Sequence, residues 1–208
     1  NPENEHALTM KDQLTNLVDE RASLEDKIQE GLEESIDDPE ERERLRRNLE
    51  NFADPENAFM EGMRFFQLKN YKEAIPYLKK AIPSPEVDGM LGMCLRNIQN
   101  YDESITYFDK ALSVEPENDM FLNSKGYSLR DLERWDEYVT IQTKLLKINP
   151  LDDHALYSKG IGLTELSKYD EAIFCYDKAL EINSDDEVVW FSKGEALDKL
   201  SKYSESIL

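Results

Sequence analysis

Ser158-Lys159-Gly160-Ile161-Gly162-Leu163, followed shortly by Tyr169-Asp170-Glu171-Ala172, is the stretch on which the fold turns, because its parts return along the chain. Ser124-Lys125-Gly126 precedes it and Ser192-Lys193-Gly194 follows it, each at a period of about 34 residues. Working outward, a glycine column runs Gly62, Gly92, Gly126, Gly160 and Gly194. Nine residues after each glycine stands an aromatic: Tyr71, Tyr101, Trp135, Tyr169 and Tyr203. A small residue, a larger apolar residue, a second small residue and then Pro follow in that order. Five concordant registers predict a stack of like units, each contacting its neighbours, rather than one globular core.

Within one unit, Asp153 to Ser167 reads as a first helix, with Leu156, Gly160 and Leu163 at helical spacing. Lys168-Tyr169-Asp170 reads as the turn, and Asp170 to Ile182 as a second helix presenting Ala172, Phe174, Cys175, Tyr176 and Ala179. Gly160 inside a helix costs about 1 kcal/mol against Ala. The missing side chain offsets this by letting the partner helix approach, with Tyr169 and Tyr176 filling the wedge toward the next pair. Asn149-Pro150 closes the preceding unit, since Pro cannot continue a helix.

The order of small, aromatic and Pro positions resembles the tetratricopeptide repeat. The resemblance spans residues 55–208: four complete units, Pro55–Ser84, Pro85–Asn118, Asp119–Asp152 and Asp153–Asp186, and a fifth that opens at Glu187 and stops at Leu208, early in its second helix. It implies an all-α fold, a tandem helix-turn-helix solenoid wound as a right-handed superhelix. Departures are local. At Ile82-Pro83-Ser84-Pro85 the spacing shortens by about one helical turn, with Ser84 as N-cap and Pro85 at the first helical position. The third unit carries Tyr138, Gln142 and Leu145 where its neighbours are smaller or more apolar, so its two helices should pack less closely. Ser184 replaces the expected Pro of the fourth.

Residues 1–54 differ in kind, forming an N-terminal amphipathic helical segment. Met10, Leu14, Leu17, Leu24 and Ile28 alternate in steps of four and three, interrupted by Arg21. Two readings stand: a coiled-coil seam, or an amphipathic helix packed on its own solenoid. The acid run Glu33-Glu34-Ser35-Ile36-Asp37-Asp38 reads as a solvated loop. Asp38 then caps a helix with Pro39 at its first position and Glu41 completing a capping box. Its stripe of Leu45, Leu49 and Phe52 suits the open end of the first repeat. Asn1-Pro2 to Leu8 resembles the junction Asn149-Pro150 to Leu156, and the chain stops inside a helix at Leu208, so a piece of a longer array is expected.

Of 208 residues, 34% are charged and the net charge is −20. Such a balance suits an array whose helices keep one solvated face, and it counts against nucleic acid, which needs clustered Lys and Arg. No apolar run reaches membrane-spanning length and no signal-peptide pattern opens the chain, so the expected place is the cytoplasm. Cys94 and Cys175 read as buried free thiols. His6 and His154 hold equivalent junction positions without metal-ligand spacing. The glycines form no phosphate loop. Neither catalytic residues, nor a metal, nor a cofactor is expected.

The resemblance places the site in a concave groove lined by the first helix of each unit. Its residues would be Phe59, Met63 and Phe66 in the first unit, Met93, Arg96 and Asn97 in the second, and Met120, Asn123, Tyr127 and Arg130 in the third. The fourth adds His154, Tyr157 and Ile161, the fifth Phe191, Glu195 and Asp198. Some family members hold a C-terminal carboxylate of heat-shock chaperones with Lys, Asn and Arg. The matching places here are Phe59, Met63, Met90, Met120 and Ser124, or one unit on Gly89, Met93, Ser124, His154 and Ser158, and neither frame supplies the cations. The expectation is therefore a non-catalytic protein-interaction module that takes an apolar-faced peptide or helix, with Arg96 and Arg130 pairing acids on it. The occupant is another protein, or the chain's own N-terminal helix in cis. The alternatives are a self-assembling scaffold, with a weak homodimer, and a regulatory part of a larger enzyme.

Overall fold

The computed structural model describes residues 54–206, and among these all regular structure is α-helical. The seam from Met10 to Ile28, the cap at Asp38 and the stripe Leu45, Leu49 and Phe52 lie outside the described residues. The chain divides into two compact units between Pro83 and Ser84, at the shortened junction. In the first, α1 (Pro55–Gln67) pairs with α2 (Tyr71–Leu78). In the second, α3 (Pro85–Asn97) pairs with α4 (Tyr101–Val114), α5 (Asp119–Asp131) with α6 (Trp135–Ile148), and α7 (Asp153–Glu165) with α8 (Tyr169–Ile182), and α9 (Glu187–Ser206) follows. α2 is the short member, and it carries Pro76, whose ring removes a backbone donor.

Two local devices repeat with the sequence. Each first helix of the second unit opens on a side-chain cap. Ser84 Oγ accepts from the N–H of Val87, Asn118 Oδ1 from Phe121, Asp152 Oδ1 from Ala155, and Asp186 Oδ1 from Val189. Each such bond satisfies one of the orphan donors at a helix start, a contribution of about 1 kcal/mol. Each first helix of a pair then ends on a left-handed residue: Lys69, Gln99, Glu133 and Ser167, with φ of 60°, 65°, 56° and 59°. The closing bonds are those of a Schellman motif. The N–H of Asn100 donates to the Leu95 carbonyl and that of Gln99 to Arg96, both at 2.9 Å, and the other three turns copy them. The turn of the fourth repeat is accordingly Leu166-Ser167-Lys168, and Tyr169 is already helical, one residue earlier than the sequence reading.

The fifth repeat corrects an expectation. In place of a turn and the start of a second helix, α9 runs unbroken through Ser201 to Ser206. A left-handed non-glycine residue costs about 1–2 kcal/mol, which elsewhere the returning helix offsets by packing. The described residues beyond Ser201 continue α9 and bring no returning helix against it.

The second unit has no single core. Phe108, Ala111 and Phe121 form one buried cluster; Ile105, Leu122, Leu129, Tyr138, Ile141, Leu145 and Ala155 a second. Leu163, Ala172, Cys175, Tyr176, Ala179, Leu180, Val189 and Ala196 form a third. Each mixes residues of successive repeats, so burial is handed on from pair to pair. The glycine column acts as expected where a partner helix exists. A Cβ on Gly62 would lie 2.7 Å from Leu78, on Gly92 2.8 Å from Phe108, and on Gly160 2.4 Å from Tyr176. At Gly126 the nearest atom, Gln142 Nε2, is 3.1 Å away, the looser packing predicted for the third repeat. At Gly194, with no returning helix among the described residues, nothing lies within 4 Å.

Candidate functional site

The first helices of the second unit, α3, α5, α7 and α9, carry most of the residues assigned to the groove. Their solvent-facing stripes follow from spacing: Met120, Asn123, Tyr127 and Arg130 recur at three, seven and ten residues along α5, one face of a helix. Met93 and Arg96 sit on α3 one and two turns beyond Gly89. Gly89 governs their position. Phe121 of α5 is buried against it so closely that a Cβ there would sit 2.2 Å from the ring. The close approach of α5 to α3 brings the next turns of the two helices together.

What meets there is a cluster of two arginines and a tyrosine. The Arg96 guanidinium lies 5.0 Å from the centroid of the Tyr127 ring, and the Arg130 guanidinium 5.2 Å. These are cation–π contacts, worth about 0.5–1 kcal/mol each at an exposed site. Tyr127 itself is 41% exposed. Arg130 touches Asp131 at 3.5 Å, an exposed and loose pair. Arg96 Nε is buried without a hydrogen-bond acceptor among the described residues. Behind this cluster Tyr138 is fully buried, with Ser158, Arg130, Tyr127 and Tyr157 about it. Burial pushes its phenol up, opposed by the Ser158 hydroxyl and the Arg130 charge.

Farther along, the Tyr157 ring lies 6.1 Å from that of Tyr176, whose hydroxyl is 3.2 Å from Thr164 Oγ1. Tyr157 thus packs onto the third buried cluster, and Met93 likewise onto the first, so both belong partly to the core. Asn123 and Ile161 are half-buried, while Met120, His154, Glu195 and Asp198 are exposed. Asn97 is turned inward on its own helix, donating from Nδ2 to the Met93 carbonyl at 2.8 Å. Phe191, on α9, is 68% exposed. In the first unit Phe59, Met63 and Phe66 are half-buried, and the Phe66 ring meets Tyr71 edge-on at 5.7 Å.

Gly89 and the Tyr138–Ser158 layer were not legible as part of the site. Gly89 stands off the repeated glycine column, and one chain offers no signal that a lone glycine faces the next repeat. Among the described residues no group of His, Cys, Asp and Glu could hold a metal ion, and no helix is long and apolar enough to cross a membrane.

Comparison with known proteins agrees with the repeat fold. Tetratricopeptide repeat family profiles match residues 56–82, 89–118 and 154–186, within the first, second and fourth repeats. No curated protein sequence matches. Among solved structures, MamA from Desulfovibrio magneticus RS-1 (residues 41 to the end) superposes with a TM-score of 0.59 at 21% identity, over 73% of this chain and 93% of that one. The MamA MSR-1 structure gives 0.61 at 19% identity, over 71% and 87%. A further MamA crystal structure gives 0.65 at 17%, over 72% and 84%. At such identities the likeness is one of fold, and the sequence matches carry the family: the chain is a tetratricopeptide repeat protein.

Proposed function

We propose that the face built by α3, α5, α7 and α9 binds an apolar-faced peptide or helix of a partner polypeptide, without catalysis and in the cytoplasm. The observation that carries the reading is the exposure of Met120, Tyr127 and Phe191 on first helices, with Tyr157 and Ile161 half-buried on α7. Large apolar side chains gathered on a solvent face are costly unless something covers them. Rigid rings give contact area and Met adapts to shape. Affinity capture from native lysate with mass spectrometry names the partner. Tyr127→Ala should then weaken its binding at least tenfold with helicity unchanged, and unchanged affinity would overturn the assignment. The apolar stripe Met10 to Ile28 is a competing occupant in cis; peptide 10–28 added in trans would then compete with the partner.

A second reading, self-assembly as a scaffold, has its own support in α9. Val188, Trp190, Phe191 and Leu197 are all exposed on it. Sedimentation over a range of concentrations separates the two, because a monomer at high concentration removes the scaffold.

A further inference from the structure

Within the groove reading, on which this rests, we propose that Arg96 and Arg130 about Tyr127 form a subsite for one carboxylate: an Asp or Glu side chain of the bound segment. Three observations point to it. Arg96 Nε is buried with no acceptor among the described residues, and a buried donor left unpaired is the kind of group a ligand completes. Arg130 comes within reach of the same ring and, among the described residues, has only an exposed, 3.5 Å contact to Asp131 as its ion pair. Two lysines of the first helices differ: Lys125 is tied to Asp109 and Lys193 to Asp177, carboxylates of the preceding second helices. Arg96 and Arg130 instead both meet the ring of Tyr127.

The chemistry of the ligand follows from the same groups. A guanidinium presents paired N–H donors in a planar fork, which matches a carboxylate bidentately. Tyr127 supplies the apolar plate beside it, so the acid should be flanked by apolar side chains. A net charge of −20 repels a polyanion at long range, which favours a single acid in an otherwise apolar segment over a phosphate-rich or polyacidic one. The anchor is a side chain, and not the end of a chain.

The test uses the full-length protein and three fluorescein-labelled amphipathic 18-residue peptides with one Leu/Phe face. The first carries a central Glu on that face and an amidated C-terminus, the second has Gln in place of the Glu, and the third restores a free C-terminus to the second. The Glu peptide should bind about tenfold more tightly than either Gln peptide in fluorescence anisotropy. Arg96→Gln with Arg130→Gln should erase that difference, so that Glu and Gln peptides bind the variant alike, with its helicity by circular dichroism unchanged. Arg96→Lys, keeping the charge but not the fork, should retain part of the preference. Equal binding of Glu and Gln peptides leaves the groove standing and removes the subsite. A preference for the free C-terminus assigns the arginines to a terminal carboxylate and overturns the proposal. If no peptide binds, the groove reading falls and the subsite with it.

Discussion

Tyr138 of α6 and Gly162 of α7 fit each other across the junction of the third and fourth repeats. A Cβ on Gly162 would lie 3.0 Å from Tyr138 Cδ1 and 2.7 Å from Val139 Cγ2. One repeat earlier the same two places hold Ser104 and Ser128, whose hydroxyls are 3.0 Å apart and buried. One repeat later they hold Ala172 and Ala196, both fully buried in one cluster. Small meets small at two junctions; at the third a large ring meets no side chain. The volume that Tyr138 adds to one helix is removed from the other, so the stack continues without a gap or a clash.

Gly162→Ala should therefore cost about 1–3 kcal/mol, since the added methyl must displace Val139 or Tyr138 in a packed interior. Gly126→Leu should cost a similar amount, about 1–3 kcal/mol, by wedging α5 from α6. Gly194→Ala should do the opposite and stabilise by about 0.5–1 kcal/mol, because its Cβ meets nothing within 4 Å and Ala is the better helix former. Urea midpoints check all three. A neutral Gly162→Ala would show that the pairing with Tyr138 carries no packing constraint.

Ser128→Ala removes the hydroxyl partner of buried Ser104 and should cost about 1–3 kcal/mol. Replacing both serines by Ala leaves no orphaned group, so the double variant should lose less than the two single losses added together. A double-mutant cycle measures that coupling. Strict additivity would mean that the 3.0 Å contact contributes nothing of its own.

Glu133→Gly and Gln99→Gly should each raise stability by about 0.5–1 kcal/mol. The left-handed backbone at these positions costs a side-chain-bearing residue about 1–2 kcal/mol, and part of the relief is cancelled by the larger unfolded-state entropy of glycine. Ser201→Gly, at the equivalent place in the unbroken helix α9, should bring no gain. A stabilised Ser201→Gly protein in thermal melts would indicate a left-handed turn there in solution.

Burial pushes the Cys94 thiol up from its ordinary 9.0 to about 12 and the Tyr176 phenol likewise to about 12. Cys175 also moves up, by burial. A group whose folded value is raised lends stability that is complete below its unfolded value and lost as pH rises through the folded one. Melting temperature should hold to about pH 9 and fall between there and pH 12, less steeply in Cys94→Ala. At pH 8 a thiol reagent should label the native protein slowly and the urea-unfolded protein at once. Fast labelling of native protein would contradict the burial of both cysteines.

The repeat register was legible because each unit solves the same packing problem with the same few residue sizes. Gly62, Gly92 and Gly160 each clear space for one named side chain, and a glycine recurring in a helical pattern announces that need. Ser84 and Pro85 announced a helix start because only certain side chains accept from the third N–H onward. The left-handed turns were not legible, since Lys69, Gln99, Glu133 and Ser167 share no residue type and three are plain helix formers. Along α5, the shared face of Met120, Asn123, Tyr127 and Arg130 was legible from their spacing. Met93 and Tyr157 were read as surface, yet they lean into buried clusters, because a long side chain at the rim of a helix face can turn either way.

By itself the sequence determined the all-helical repeat, its register, its caps and its small-residue columns, because these rest on interactions between residues a few positions or one repeat apart. Tertiary structure alone decided which side chains of different repeats meet. Gly89 admits Phe121, Gly162 admits Tyr138, and Arg96 comes to the ring of Tyr127. Periodicity names the face a residue occupies, but the distance between two faces depends on the summed volumes of every side chain packed between the helices. Where one large residue enters, as at Tyr138, the neighbouring helix must give way, and only the folded stack shows where.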